Sequence, residues 1–257
     1  MTDKRELPAS LAAAWGLRER PGKGPRPGLS LDKIVAAAVR VGAAEGLAAV
    51  SMARVAAELG AGTMALYRYV SSKSELLDLM VDAAFGPPPP LPESTAPEST
   101  GPESAAGWRG ALSHYAWSML ATMRAAIWAV SMPISGPPVT PNQVAWMERG
   151  LEAMRGTGLA EAQKMSVILL VSGYVRTQAS LEAQLTEAMR AAGTNEQQMM
   201  LDYNRVLGLV TDPQRFPELS AVVESGVMSK ADDPDEEFEF GLERILDGIG
   251  ALVDRTD

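Results

Sequence analysis

The 257-residue chain contains no cysteine and only one histidine, His114. The lack of cysteine excludes disulfide frameworks, thiolate metal sites and cysteine nucleophiles. A single histidine excludes histidine-clustered metal sites and weakens most histidine-based acid–base schemes. We therefore expect no metal ion and no other cofactor, and the composition favours a binding protein over an enzyme.

Long apolar segments are also lacking. The first residues, MTDKRELPASLAAAWG, contain no apolar run long enough for a signal peptide. No stretch of about 18 apolar residues predicts a membrane span. With 46% hydrophobic and 21% charged residues, the composition is that of a globular protein. We expect a cytoplasmic protein with no membrane partner.

Basic residues are outnumbered overall but unevenly placed. The net charge is −9, from 23 Lys and Arg against 32 Asp and Glu. Residues 1–85 carry a net charge of +2, residues 86–257 carry −11, and the window 18–73 carries +5. A basic N-terminal part joined to an acidic remainder indicates two domains with different partners.

A proline-rich segment separates these two parts. Residues 87–104 read PPPPLPESTAPESTGPES and hold seven of the eighteen prolines. Proline removes amide donors and disfavours helix in the residue before it, so this segment is predicted to be a linker. We predict a basic arm over 1–29, a head domain over 30–86, the linker over 87–104 and a body over 105–257.

Both domains are predicted to be helical, because strand alternation is absent and good helix formers fill the periodic segments. In the head, Ser30, Ser51 and Ser72 are predicted N-caps, and Thr63 to Val70 is predicted to be the third helix. In the body, helices are predicted after Trp108, after Thr140, over 160–192, over 195–209 and up to Val253, with an irregular stretch around Pro213 and Pro217. The fold class is all-α, with a three-helix helix-turn-helix domain and a larger helical domain.

Two short helices joined by a glycine-containing turn form a helix-turn-helix, which places its second helix in the DNA major groove. Leu66 and Val70 are predicted to face inward, and Met64 and Arg68 outward. Arg68 is the predicted base reader, since a guanidinium can pair bidentately with guanine. The candidate DNA-binding residues of the head, most of them donors to phosphates, are Ser51, Gly62, Thr63, Met64, Ala65, Tyr67, Arg68, Tyr69 and Lys73.

The segment RERPGKGPRPG, at 18–28, is too rich in glycine and proline to fold alone. Its cations, Arg18, Arg20, Lys23 and Arg26, could track a minor groove beside the head. The alternative is a terminus that only aids solubility.

The segment 31–85 resembles the DNA-binding domain of TetR-family transcriptional regulators along its whole length. The resemblance lies in E-G-L at 45–47, S-M-x-x-V-A-x-x-L-G at 51–60 and A-L-Y-R-Y-V-x-x-K-x-E-L-L at 65–77. It implies that residues 62–69 form the recognition helix and its tip. It also implies that Tyr67 and Lys73 contact the phosphate backbone.

The body resembles the C-terminal domain of the same family more loosely. The matching motifs are W-x-x-A-L at 108–112, a GPP loop, G-T-G-L at 156–159 and F-x-x-G-L-x-x-I-L at 238–246. The resemblance implies that the body binds a small-molecule effector and forms a homodimer, through helices around Val167–Gln184 and Phe238–Val253. Their wide apolar faces favour burial against a second protomer, although these faces could instead pack within one chain.

Methionines and aromatic residues are concentrated in the body, and such side chains suit an adaptable apolar pocket. Ordinary core packing is the alternative for each of them. The candidate effector-binding residues are His114, Tyr115, Met119, Trp128, Trp146, Met147 and Tyr174.

We expect a homodimeric regulator that binds double-stranded operator DNA and is released by a small molecule. Activation instead of repression, or an all-helical small-molecule-binding protein without DNA binding, are the alternatives. An α-helical enzyme has no supporting motif.

Overall fold

The computed structural model describes residues 7–17, 28–92, 104–132, 136–229 and 233–255. Within these ranges the chain forms twelve α-helices and two short 3-10 helices, and no strand. The all-α prediction is therefore confirmed. None of the helices in these ranges is long and apolar enough to cross a membrane.

The head contains four helices, preceded by one short helix, and three of the four begin at predicted N-caps. The Oγ atoms of Ser30, Ser51 and Ser72 each accept a hydrogen bond from the backbone amide three residues later. This satisfies an amide that has no partner within the helix. The helices are α1 (Ala9–Ala14), α2 (Leu31–Glu45), α3 (Met52–Glu58), α4 (Thr63–Leu66) and α5 (Lys73–Phe85).

The body contains the seven remaining helices. Three long ones, α6, α9 and α12, pack against one another, and α8 packs against α6 and α9. The helices are α6 (Ser104–Ala125), α7 (Ile127–Val130), α8 (Pro141–Ala153), α9 (Glu161–Ala192), α10 (Glu196–Val210), α11 (Pro217–Glu224) and α12 (Pro234–Val253).

Helices α1, α4 and α11 differ from the sequence prediction. Helix α1 was not predicted, although its sequence ASLAAA consists mostly of good helix formers. Helix α4 ends at Leu66 rather than Val70, because the chain must become extended again at the N-cap Ser72. Helix α11 lies in the stretch predicted to be irregular, and it begins with Pro217 at its first position, where proline is favourable.

The head and the body each have a hydrophobic core. The head's core includes Ile34, Val41, Leu66, Leu76 and Met80. The body's core is larger and is built from apolar side chains of α6, α8, α9 and α12. The two domains therefore bury most of their apolar surface separately.

Two arginines of α6 connect the long helices of the body. Arg124 contacts Glu182 of α9 and Asp235 of α12, with nitrogen–oxygen distances of 2.7 Å in both pairs. Arg109 pairs with Glu243 and Asp247 of α12. Because these pairs are partly exposed, they add little to stability.

A cluster of three aromatic rings joins α6, α9 and α12. Tyr174 stacks on Phe238 with ring centroids 5.3 Å apart, and Trp117 meets Phe238 edge-on at 4.6 Å. The Tyr174 hydroxyl donates to the Phe238 carbonyl oxygen at 3.0 Å. Gly241 makes this approach possible, because a Cβ there would lie 2.7 Å from Cζ of Tyr174.

We predict that Gly241→Ala lowers the free energy of unfolding by about 1–3 kcal/mol, because the new methyl group overlaps the Tyr174 ring. Urea denaturation followed by circular dichroism measures this change. The matched control is Gly110→Ala in α6, where a Cβ meets nothing within 4 Å. That substitution should stabilise the protein by up to about 1 kcal/mol through helix propensity. Equal effects of the two substitutions would contradict the steric explanation.

Candidate nucleic-acid interface

The second helix of the helix-turn-helix, α4, is a single turn anchored by its inner face. Leu66 and Val70 are fully buried in the head's core, whereas Met64 is 77% exposed and Tyr67 is 44% exposed. Arg68 is also exposed. An isolated helix of this length is unstable in water. Burial of Leu66 and Val70 therefore holds the outward-facing residues in place.

The start of α4 is open and lies next to a tight turn. Gly60 has φ +61°, a left-handed conformation that suits glycine. Gly62 is the N-cap of α4, and a Cβ built on it meets nothing within 4 Å. Thr63 and Ala65 are half-buried, so only part of each side chain faces outward. This end of the helix leaves room for close approach of another molecule.

Two cations of this region are available for a partner. Arg68 and Lys73 are exposed, and neither forms an ion pair with another residue of the described ranges. Arg54 differs, because it binds Glu45 at 2.5 Å and Glu58 at 3.1 Å. The hydrogen bond from Arg54 holds the pKa of Glu45 below its usual value. The positive charge of α3 is thus neutralised within the head.

Two predicted phosphate donors have structural roles in the head. The Ser51 hydroxyl caps α3 by accepting from the Arg54 amide at 3.1 Å. The Tyr69 hydroxyl donates to the Leu29 carbonyl oxygen at 3.0 Å. This bond ties the predicted recognition segment, residues 62–69, to the residues just before α2. The proton of Tyr69 is therefore engaged, whereas the cap at Ser51 leaves its own proton unused. Their contacts with DNA stay predictions.

The predicted minor-groove contacts of the arm, Arg18, Arg20, Lys23 and Arg26, lie outside the described residues.

The candidate effector residues of the body occupy different environments. Tyr115, Met119 and Trp146 are buried in the body's core, and the rings of Tyr115 and Trp146 lie 5.9 Å apart. His114 and Met147 are half-buried. Nε2 of His114 lies 3.4 Å from Oγ of Ser118 in the next turn. The structure brings Tyr115 and Trp146 together and leaves His114 on a neighbouring position of α6.

Three of the seven candidates make contacts that support the fold. Trp128 packs against the head's core. The Trp146 indole nitrogen donates to the Gly86 carbonyl oxygen at 3.0 Å, at the end of the head. Tyr174 bonds to α12 and stacks on Phe238, as described above. These three side chains connect structural elements. The sequence alone could not distinguish this role from that of lining a pocket.

Tyr115 is the polar group buried most deeply among these candidates. It is fully buried, and its hydroxyl donates no hydrogen bond to another described residue. Burial raises the pKa of this phenol, so Tyr115 stays neutral and retains its proton. A buried donor of this kind can orient a ligand that carries a hydrogen-bond acceptor.

The junction between head and body depends on a carboxylate that sequence analysis did not single out. Asp82, near the end of α5, is buried and accepts from the backbone amides of Asn142 at 2.9 Å and Gln143 at 3.1 Å. The Asn142 side chain also binds the Asp82 carboxylate and its carbonyl oxygen. Asp82 thus caps the N-terminus of α8, whose own N-cap, Thr140, makes no side-chain cap bond. An acidic residue among the apolar positions of α5 was the available signal.

A groove between α9 and α12 leaves an apolar surface uncovered in the single chain. It has a volume of about 540 Å³ and is lined by residues that include Val167, Leu170, Ile245 and Leu252. Leu169, which also belongs to α9, is 75% exposed. Such a surface on a folded protein indicates a contact with another molecule. Within the described residues, no cluster of three or more His, Cys, Asp or Glu side chains could hold a metal ion.

Family models match most of the chain. Residues 34–80 match the model "Bacterial regulatory proteins, tetR family", which covers the helix-turn-helix and the start of α5. Residues 101–253 match the model "Tetracyclin repressor-like, C-terminal domain". The two matches together contain the buried residues of both hydrophobic cores, but they leave out α1 and the head's side of the junction at Asp82 and Gly86.

Curated relatives and solved structures agree with these models. An HTH-type transcriptional repressor, DrrR1 of Streptomyces coeruleorubidus, is 38% identical over 96% of this chain and 87% of its own. A transcriptional regulator of Saccharopolyspora erythraea is 31% identical over 71% of this chain and 74% of its own. Apo ActR of Streptomyces coelicolor superposes with a TM-score of 0.69 at 26% identity, covering 91% of this chain and 100% of its own. ActR bound to actinorhodin gives a TM-score of 0.65 at 28% identity, covering 87% and 96%.

Proposed function

The chain belongs to the TetR family of bacterial transcriptional regulators, and on this premise we propose that it represses transcription from a palindromic operator until a small-molecule effector releases it. The observation that carries the proposal is the anchored recognition segment. Met64, Tyr67 and Arg68 are exposed on a turn that Leu66 and Val70 hold against the head's core. The name of the relative DrrR1 supports repression as the direction of control.

Arg68 and Lys73 have different roles in this proposal. Arg68 reads a base in the major groove, because its guanidinium is exposed and not neutralised by another described residue. Lys73, at the first position of α5, contacts a phosphate together with Tyr67 and positions the helix on the duplex. Backbone amides at the start of α5 add to the phosphate contact.

The active species is a homodimer. One helix-turn-helix covers a single half-site, and two heads bind half-sites about 34–36 Å apart on one side of the duplex. The exposed apolar surface of α9 and α12 supplies the contact between protomers, through Leu169, Leu170 and the groove described above. The two pairs of helices would form a four-helix bundle.

The effector binds within the body near Tyr115. The buried hydroxyl of Tyr115 supplies a hydrogen-bond donor, while Met119 and Trp146 supply apolar surface. Methionine side chains are flexible, so this part of the core can rearrange to admit a ligand. The complex of the similar protein ActR with actinorhodin supports an organic molecule as the effector class. Because effector and operator are linked, DNA must weaken effector affinity by the same factor by which effector weakens DNA affinity.

We predict distinct effects of Arg68→Ala and Lys73→Ala on an operator selected from random-sequence DNA. Arg68→Ala should weaken specific binding by about 1–3 kcal/mol and relax the preference at one base pair of each half-site. Lys73→Ala should weaken binding to all sequences alike and reduce the dependence of affinity on salt. Fluorescence anisotropy over a range of salt concentrations measures both effects.

The matched control for these substitutions is Arg155→Ala. Arg155 is exposed, lies in the body and makes only a 3.6 Å contact with Glu152. Its loss removes the same charge without touching the head. Unchanged base preference in Arg68→Ala would overturn the base-reading assignment. Failure of the unaltered protein to select any DNA would overturn the proposed function.

Leu169→Glu should convert the dimer to monomers, because it places a charge in an apolar contact between protomers. Sedimentation equilibrium measures the mass, and operator affinity should fall with dimerisation. Leu17→Glu is the control, since Leu17 is similarly exposed (67%) but lies before the head. A dimer that persists in Leu169→Glu would show that another surface joins the protomers.

Tyr115→Phe should weaken the response to effectors by about two- to tenfold, because it removes one hydrogen-bond donor. Small organic molecules are first screened by thermal shift, and those that bind are titrated against the protein–operator complex. Tyr203→Phe, at an exposed position of α10, is the control. Molecules that release DNA equally well from both variants would place the effector elsewhere.

A further inference from the structure

Helix α1 lies outside the segments that the family models match, yet the helix and the residue that follows it contact both domains. Residues 7–17 precede the matched residues 34–80 and 101–253. Helix α1 packs against α2 of the head, and Ala14 lies against the head's core. A short helix needs such contacts to persist, because six residues do not form a stable helix alone.

The contact with the head is polar and partly buried. Ser10 is 1% exposed, and its hydroxyl donates to Oε1 of Glu75 in the first turn of α5. Oε2 of Glu75 accepts from the Ser71 amide at 2.5 Å. Glu75, which lies two residues after Lys73, therefore joins α1 to the turn between the recognition segment and α5. Movement of α1 would disturb this turn.

The contact with the body is made by the residue that follows α1. The Trp15 indole nitrogen donates to the Val139 carbonyl oxygen at 2.9 Å. Val139 belongs to the loop before α8. Asp82 of the head caps the N-terminus of this same helix, α8. Ser10 and Trp15 are only five residues apart and contact different domains. The short segment between them thus connects the two domains directly.

A cavity beneath α1 shows why this connection matters. The cavity has a volume of about 640 Å³ and lies between the start of α5, the end of α7 and the loop before α8. Pro8, Ser10 and Leu11 form the wall that α1 contributes. At this side of the junction the head and the body do not pack closely against each other, and α1 spans the gap. The rest of the junction is held by Asp82, by the bond from Trp146 to Gly86 and by the packing of Trp128 against the head's core.

We propose that α1 is a positioning element that fixes the orientation of the head on the body, with Ser10 and Trp15 as its positioning residues. Without α1, the cavity leaves room for the head to tilt about the contacts made by Asp82 and Trp128, whereas the attachment through α1 restricts this movement. In the dimer this restraint keeps the two recognition helices at one separation. The inference rests on the proposed DNA-binding function and adds a determinant of half-site spacing.

The test compares operators whose half-sites are moved apart by one and by two base pairs. Trp15→Phe removes the indole donor but keeps an aromatic ring at a position that is 41% exposed. Ser10→Ala removes the buried hydroxyl. Each substitution should reduce the preference for the correct spacing by about fivefold, the effect of one hydrogen bond, and the double variant should reduce it further. Affinity for a single half-site should stay unchanged.

A second measurement reports the separation of the heads directly. The chain has no cysteine, so Ala57→Cys places one spin label on an exposed position of each head. The distance between the two labels should be narrowly distributed in the otherwise unaltered protein and broad in Trp15→Phe. Leu17→Ala is the control, because this exposed side chain lies in the same segment.

The outcomes separate this proposal from the proposed function. No binding to any DNA by the unaltered protein overturns the function itself. Normal binding, with the same spacing preference and distance distribution in Trp15→Phe and in Leu17→Ala, overturns the role of α1. Lower affinity for a single half-site in Trp15→Phe also overturns it, because that result places the residue in the DNA contact. If Ser10→Ala lowers the melting temperature, Trp15→Phe alone decides the outcome.

Discussion

The Asp82 carboxylate is the interaction through which head and body become one structure. Asp82 lies near the end of the last helix of the head, and its carboxylate accepts from two amides at the start of α8 in the body. These amides would otherwise lack partners, and a buried carboxylate without donors would be costly. Each side of the junction therefore needs the other. A helix N-terminus also favours negative charge, which strengthens the contact.

This contact suggests a route by which ligand binding in the body changes the position of the head in the proposed regulator. Helix α8 carries Trp146, which lies beside Tyr115 and also donates to the carbonyl oxygen of Gly86, the C-cap of the head's final helix. A ligand that displaces Tyr115 or Trp146 would therefore act on the same helix that Asp82 caps. The connection from the body's core to α5 runs through a few packed and hydrogen-bonded groups. The two domains keep separate cores, so they can shift as units.

The recognition segment is held firmly against the head's core by Leu66 and Val70, but its surroundings carry little unpaired positive charge. Arg54 is paired with Glu45 and Glu58, whereas Arg68 and Lys73 are exposed and form no ion pair within the described ranges. With so few available cations, the proposed DNA binding depends less on bulk electrostatic attraction than on specific contacts by the two heads of the proposed dimer. Precise placement of each head is therefore important.

Local signals in the sequence determined a large part of this structure. Ser30, Ser51 and Ser72 were predictable as caps because a cap bonds an amide only three residues away, and the apolar spacing of Leu66 and Val70 already indicated the inner face of the recognition segment. Tertiary structure alone decided what depends on distant partners. Asp82 meets Asn142 sixty residues later, Trp128 and Trp146 serve the junction, and Ser10 joins Glu75 across sixty-five residues. Periodicity reports which side of a helix is apolar, but not which distant surface covers it, because that choice is made when the whole chain packs.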